Sequence, residues 1–296
     1  MNRLRGMVRR VPGVEPTARW GRRQAARVRR RRARTAKLNE GTGIVTPPFD
    51  VRPGTDRIQL AERVSDRKWF HTFEFRHDSG TVFVAHGDDP SHEKTQYLGL
   101  PDHFNGLSVL DIGAADGHYS FEAARRGASD VLAVDHDLWT QHRDTARANF
   151  EFVREVLGLP VRDRVITADD ISPEALGGQF DVVLLFGVLH HAPDPIGYLT
   201  RVRNVTRRYA LIETVVDMLD IARPALGYYP DASLNPDAST YFGPNMPALV
   251  GMLEDAGFSR VDDLGLWRLH EVELAAGVSL PTGPPKSGRA VVRAWV

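Results

Sequence analysis

The amino-acid sequence predicts an α/β protein. Its core is a seven-stranded, mostly parallel β-sheet with helices on both faces and its last strand antiparallel; a small N-terminal α+β extension precedes it. Three observations carry this. From Leu107 onward, short apolar runs rich in Val, Leu and Ile alternate with segments of helical period. That alternation marks βαβ units whose parallel strands are buried on both faces. A glycine-rich turn from Gly113 to Gly117 joins the first apolar run to the first helical segment. The last two runs have no helical segment between them, so the final strand inserts antiparallel.

The elements follow in order. Residues 41–53 are rich in Gly, Pro and Thr and read as a linker. Residues 56–64 have the pattern of a short helix. Residues 69–75 and 81–85 are predicted to pair as a hairpin, with Asp78, Ser79 and Gly80 as the turn. The polar stretch 86–103 reads as a loop. The regular part begins with a strand at 108–112, a helix at 119–126 stopped by Gly127, and a strand at 130–135. A long amphipathic helix, 138–157, ends at Gly158; strands follow at 164–167 and 180–186, then a helix at 196–205 and a strand at 209–215. A helix at 245–256 stops at Gly257, and strands at 258–266 and 289–296 close the chain. The predicted organisation is a basic tail (1–40), a linker and cap on the substrate side (41–104), and a main domain (105–296) with an insertion at 216–244.

The chain has 296 residues, 42% of them hydrophobic, and no cysteine. This composition supports a substantial core and excludes a disulfide framework, a thiolate zinc site and a cysteine nucleophile. No apolar run approaches the ~18 residues that span a bilayer. The N-terminus lacks the apolar stretch of a secretory signal, which predicts a cytoplasmic location. The formal net charge is zero, but residues 1–37 hold 14 Lys and Arg against one acid, Glu15, and the rest holds 24 bases against 37 acids. A +13 tail is therefore joined to a −13 body. Like charges this dense disfavour packing and predict disorder. Such a tail suits the backbone of RNA or DNA, or an anionic membrane surface. The alternative is a plain solvated extension, because 34 Arg against 4 Lys is a bias of the whole chain.

The densest motif is Asp111-Ile-Gly113-Ala-Ala115-Asp-Gly117, at a strand-to-helix turn where open α/β sheets bind ligands. The glycines permit a tight turn and close approach of a ligand to the backbone. Asp111 decides between ligands. A pyrophosphate on the helix N-terminus would meet this carboxylate unfavourably, whereas a cationic, phosphate-free ligand would gain from it. S-adenosylmethionine, with an ammonium and a sulfonium, is such a ligand. Asp135 ends the second strand, 22 residues after Gly113, where an acid accepts hydrogen bonds from ribose hydroxyls. Asp169 and Asp170 follow the third strand, and one of them is a candidate partner for the adenine amine; the alternative is a pair of solvated loop acids. Phe186-Gly187-Val-Leu-His190-His191 follows the fourth strand at the same sheet edge, placed to face the transferred group. Adjacent histidines at a strand end point in opposite directions. No further ligand has metal-site spacing, so no metal is expected.

In this order the motifs resemble the class I S-adenosylmethionine-dependent methyltransferases, over residues 108–296. The resemblance implies a Rossmann-like sheet of seven strands with the last antiparallel. It also implies cofactor-binding roles for Asp111, Gly113, Ala115, Gly117, Asp135, Asp169 or Asp170, Phe186 and Gly187. Ala115 stands where that family more often has glycine. Phe186–His191, Thr240–Asn245, Leu253–Phe258 and Trp69–Thr72 are similar to the wobble-uridine tRNA (5-carboxymethoxyuridine) methyltransferase family and its broader relatives. The tRNA enzymes use a carboxylated cofactor and carry tyrosine at the position of His190; the broader relatives use ordinary S-adenosylmethionine on small molecules or glycans.

On the substrate side, the insertion carries Tyr228, Tyr229 and Tyr241, suited to a hydroxylated ring or a base, and long loops at this edge often form lids. His71, His86, Asp88, Asp89 and His92 are candidates for the opposite wall. A hydroxyl acceptor gains from a general base, for which His190, His71 and His191 are candidates in that order. The expected activity is methyl transfer from S-adenosylmethionine to an oxygen or nitrogen of a small molecule, glycan or modified nucleotide. The alternatives are tRNA wobble-uridine modification and a non-catalytic, cofactor-binding scaffold.

Overall fold

A computed structural model describes residues 46–140, 144–235, 237–267 and 286–296. The basic tail predicted over 1–40 and the start of the linker lie outside these residues. The strands are β1 (Phe49–Asp50), β2 (Trp69–His71), β3 (Phe73–Arg76), β4 (Val82–Ala85), β5 (Gly87–Asp89), β6 (Ser108–Ile112), β7 (Asp130–Asp135) and β8 (Val161–Val165). They continue with β9 (Phe180–Phe186), β10 (Thr206–Val216), β11 (Leu226–Tyr228), β12 (Phe242–Pro244), β13 (Arg260–Trp267) and β14 (Gly288–Trp295). The helices are α1 (Arg57–Ser65), α2 (Ser91–Lys94), α3 (His118–Arg125), α4 (Asp137–Thr140), α5 (Asp144–Leu157), α6 (Pro173–Leu176), α7 (Pro195–Val205) and α8 (Met246–Ala256).

The main sheet has the order β13-β14-β10-β9-β6-β7-β8. β6 pairs in parallel with β7 on one side and β9 on the other. The order therefore reverses between β6 and β9, and the crevice outside their carboxyl ends is where such sheets take ligands. β14 lies between β10 and β13 and runs antiparallel to both, as expected for the last strand.

Alternation along the strands divides the core into two faces. Val109, Val182, Leu184 and Leu211 point to one, where Phe121 of α3 and Phe150, Phe152 and Val153 of α5 cover them. Leu110, Val183, Leu185 and Ile212 point to the other, beneath Leu199 and Val202 of α7 and Leu249 and Leu253 of α8. The helix ends follow ordinary capping chemistry. Asp194 and Asn245 accept amide bonds from Gly197 and Ala248, and Gly257 ends α8 in the left-handed region.

The extension joins the first of these faces. Phe49, Trp69, Phe73, Phe75 and Leu98 share one apolar cluster with the α3 and α5 side of the sheet. Its local order differs from the expected hairpin. β3 and β4 do pair antiparallel about residues 78–80, but β2 separates from β3 at Thr72 and pairs in parallel with β5. The expected loop at 86–103 thus contains β5, α2 and a short 3-10 turn, Thr95–Tyr97. The third sheet strand begins at Val161 rather than 164. As an edge strand it is mostly exposed and held by charge: Arg162 is bidentate to Asp130, and Arg147 and Arg154 reach Asp163. The insertion is organised as the β11–β12 ribbon.

Candidate functional site

Gly113 and Gly117 both take left-handed φ values, +78° and +88°. A Cβ on Gly113 would lie 2.4 Å from Val188 Cγ2, and one on Gly117 would lie 2.4 Å from the Phe150 ring. The turn therefore packs backbone against neighbouring side chains. Ala115 takes the same region at φ +46°, a strained choice for a residue with a Cβ. Two bonds hold it there: its amide donates to Asp135 Oδ2 at 2.9 Å, and its carbonyl accepts from Trp139 Nε1 at 2.8 Å.

Asp111 and Asp135, both buried, lie toward the carboxyl ends of the neighbouring strands β6 and β7, with Asp111 opposite Ala133. Ser120 Oγ donates to Asp111 at 2.5 Å, and the amide of Leu138 donates to the second oxygen of Asp135 at 3.1 Å. Among the described residues neither forms an ion pair with Lys or Arg. Burial raises both from the ordinary aspartate value, pushing Asp111 to about 7, and each retains only hydrogen bonds to offset that cost. Two buried acids without a countercharge form a site whose unmet demand is a cation. The donor set thus fits an ammonium or sulfonium and opposes a pyrophosphate.

The other candidate for the cofactor looks outward. Asp169 is solvent-facing and pairs with Arg201 at 2.9 Å, while Asp170 accepts from Thr167 Oγ1 at 2.6 Å. Phe186 is buried edge-on against Tyr119, with ring centroids 5.0 Å apart, and Gly187 follows at φ +74°.

Beside Gly187 lies a charged cluster of which the sequence singled out only Asp89. The Arg289 guanidinium closes bidentately on the fully buried Glu213 carboxylate. Lys94 Nζ lies 3.7 Å from Glu213 and 3.0 Å from Asp89. Asp89 also accepts from Ser91 Oγ at 2.5 Å. Burial works to raise both acids, but Arg289 and Lys94 at Glu213, and Lys94 and His71 at Asp89, outweigh it and hold both below the usual range. A Cβ on Gly187 would lie 3.4 Å from Arg289, so this cluster borders the end of β9. Two positive and two negative groups leave it balanced. Glu213 was visible as the single acid in an apolar strand, a recognisable signal of a buried partner; Arg289 and Lys94 gave none.

His190 and His191 do not point apart as expected of a strand end, because they lie on a 3-10 turn, Leu189–His191, with ring centroids 4.1 Å apart. His190 is buried, with Nδ1 3.2 Å from Thr214 Oγ1. Burial, Arg289, His191 and Lys94 hold its pKa well below the ordinary value, so it is neutral near pH 7. His191 is half-exposed, with Nδ1 3.0 Å from Ser239 Oγ. His71 is buried in the extension, edge-on to Tyr119 at 5.3 Å, and burial pushes it down to about 4. Among the described residues its Nδ1 has no hydrogen-bond partner. Lys94 acts on both His190 and His71, so both lie near this polar cluster. Among the described residues no group of three His, Asp or Glu side chains is arranged to hold a metal ion.

The insertion tyrosines divide. Tyr229 donates to Asp217, and burial together with that bond raises its hydroxyl to about 12. Tyr228 and Tyr241 are 61% and 39% exposed. Tyr241 is tied to the site, because its amide donates to the His190 carbonyl at 2.8 Å.

A family model described as a methyltransferase domain matches residues 83–262. The chain is 30% identical over 158 residues to a tRNA U34 carboxymethyltransferase of Mannheimia succiniciproducens, covering 52% of this chain and 45% of that one. It is 38% identical over 113 residues to a ubiquinone biosynthesis O-methyltransferase of Cereibacter sphaeroides, covering 37% of this chain and 41% of the other. The chain thus spans about half the length of these curated relatives or less. Its fold is similar to the N-terminal domain of EvdMO1, crystallised in the presence of SAH and D-fucose, with a TM-score of 0.59 at 20% identity; 82% of this chain and 99% of that one are covered. That coverage exceeds what residues 105–296 make up, so the likeness reaches into the extension.

Proposed function

The chain belongs to the class I S-adenosylmethionine-dependent methyltransferases, and from that membership we propose that it methylates a hydroxyl oxygen on a small hydroxylated molecule or glycan, with His190 as general base. The observation that carries the reading is a buried, neutral imidazole fixed through Nδ1 at Thr214, beside the Phe186-Gly187 turn and a charge-balanced polar cluster.

Asp111 and Asp135 would hold the cofactor, Asp111 through its positive end and Asp135 through the ribose hydroxyls. When bound, S-adenosylmethionine supplies a methyl group on a sulfonium, a good leaving group. The chain's own work is to align and to move one proton. With Nδ1 held at Thr214, His190 keeps Nε2 for the acceptor hydroxyl and takes its proton as the oxygen becomes nucleophilic. Well-positioned bases of this kind contribute roughly 10²–10⁴-fold. The Asp89-Lys94-Glu213-Arg289 cluster offers hydrogen bonds without net charge, which suits a neutral polyol. Exposed Tyr228 and Tyr241 would contact the rest of the acceptor. EvdMO1, whose likeness includes the extension, was crystallised with a sugar, which supports this acceptor class.

The ordinary cofactor is favoured over a carboxylated one. A carboxylate beside the sulfonium would need an unengaged cation, and the Arg289 fork is already closed on Glu213. The name of the relatives and the basic tail favour a second reading, modification of tRNA. A cytoplasmic location is part of the proposal, and cell fractionation checks it.

The test combines calorimetry with methyl transfer from labelled S-adenosylmethionine to a panel of monosaccharides, small phenols and tRNA. The proposal expects cofactor binding by the wild type and an O-methylated sugar or small molecule. It expects His190→Gln to lose about 100-fold or more in kcat while cofactor affinity changes less than about threefold. Labelling of tRNA alone would replace the acceptor reading, and absence of cofactor binding would end the proposal as a whole.

A further inference from the structure

Within the glycine-rich turn, consecutive residues bond in opposite directions. The Ala115 amide donates to Asp135, the acid proposed to take the cofactor's ribose. The next residue, Asp116, is fully buried and faces the extension. Its Oδ2 accepts from the amides of Phe70 at 2.6 Å and His71 at 3.0 Å, both on β2. Its Oδ1 lies 3.4 Å from Asn149 Nδ2, which also donates to the Lys68 carbonyl at 2.8 Å, just ahead of β2. Asp116 therefore clamps the strand that carries His71, and β5, paired with β2 through His71 and Asp89, comes with it.

β2 is also held by packing, since Trp69 is buried in the apolar cluster and His71 lies edge-on to Tyr119, but its backbone pairing is short. The strand is three residues long, its partner β5 is also three residues long, and the two form a sheet of their own. Two bonds onto adjacent amides tie the β2 backbone directly to the cofactor turn. On the other side, Ala115 stays in the left-handed region through its bonds to Asp135 and Trp139. A strained residue persists only where its surroundings over-determine it. A ligand that pins Asp135 and the turn backbone therefore pins Asp116 as well.

We infer that Asp116 is a positioning residue that couples the cofactor turn to the acceptor wall, so that binding of the cofactor orders β2 and β5 and sets His71 and Asp89 for the acceptor. The inference rests on the methyltransferase reading and adds an order of events: cofactor first, acceptor second. Such coupling is reciprocal, so acceptor held at this wall would also slow release of the cofactor.

Hydrogen exchange with mass spectrometry on the full chain tests it without knowledge of the acceptor, using S-adenosylhomocysteine as the probe. In the wild type the probe slows exchange across residues 69–76 and 85–90 by about fivefold or more, the lower end of ordinary site-to-site coupling. In Asp116→Ala that probe-dependent slowing disappears at 69–76, while calorimetry finds probe affinity within about threefold of wild type. Asp116→Asn, which keeps an oxygen acceptor, retains part of the slowing. A clamp that served folding alone would change exchange equally with and without the probe, and that result would overturn the inference. So would wild-type protection confined to residues 111–138. If Asp116→Ala does not fold, the wild-type exchange map and Asp116→Asn decide the matter by themselves. Absence of probe binding by the wild type is a separate outcome: it removes the methyltransferase reading and this inference with it, whereas binding without protection of 69–76 removes this inference alone.

Discussion

Asp111 holds its carboxyl near 7 because burial outweighs the bond from Ser120, and Asp135 adds repulsion. A folded pKa raised from 3.8 destabilises the fold as pH rises from about 4 toward 7, at roughly 1.4 kcal/mol per unit, or about 4 kcal/mol at full shift. A cation placed against the group reverses this by favouring the ionised form. Cofactor binding near pH 6.5 is therefore expected to release a proton, and affinity should rise with pH up to about 7 and then level off. Calorimetry in phosphate and Tris buffers reads the proton directly, since the apparent enthalpies differ by the number released times the buffer's ionisation enthalpy. Equal enthalpies in the two buffers would refute the assignment of Asp111 to the cofactor's cation. The residue itself was legible: an acid ahead of a glycine turn marks a cationic ligand. Its protonation was not, because sequence shows neither the depth of burial nor the Ser120 hydroxyl nine positions away.

At the scale of elements, β10 and β14 are joined by more than their ladder, since Glu213 and Arg289 lie on adjacent strands and Lys94 reaches them from α2. Removing one partner of a buried pair leaves the other charge without compensation, at a cost of about 3–5 kcal/mol. Glu213→Gln is expected to lower the thermal midpoint by roughly 10 °C, taking about 2–4 °C per kcal/mol for a chain of this size. Differential scanning calorimetry measures this, and a midpoint within 2 °C of wild type would show the cluster to be dispensable. Glu213 and Asp89 titrate below their unfolded values, so their contribution is complete above about pH 5, begins to fall in the ordinary carboxylate range and is lost as pH drops through their lowered folded values. The central strands were legible because burial on both faces writes them as continuous apolar runs, and β9 is buried along its full length. The break between β2 and β3 and the strand β5 were not, because three-residue strands carry no period, and the pairing of β2 with β5 depends on packing from elsewhere in the chain. β8 was shifted for the converse reason: an edge strand of alternating charge lacks the apolar signature.

Over the whole molecule the balanced charge hides a division: residues 1–37 carry +13 and the remainder −13. The acidic remainder suits a cationic cofactor in the crevice and disfavours a polyanion elsewhere, so affinity for nucleic acid is expected to come from the tail. The prediction follows from counterion release. The logarithm of the binding constant falls with the logarithm of salt concentration by about 0.7 to 0.9 per neutralised phosphate, and several Arg contacts make that slope steep. The full chain is expected to bind tRNA at low salt and to lose most of that affinity between about 50 and 200 mM salt. A chain lacking residues 1–40 is expected to lose tRNA binding at every salt concentration while keeping its affinity for S-adenosylmethionine, because the acids proposed to hold the cofactor all lie beyond residue 110. Fluorescence anisotropy with labelled tRNA and calorimetry with the cofactor separate the two effects. If the shortened chain binds tRNA as the full chain does, the acidic body itself carries a nucleic-acid site, and the choice between a small hydroxylated acceptor and tRNA moves toward tRNA. If it loses tRNA binding and still methylates its acceptor, the two charged halves act independently and the chemistry belongs to the body alone.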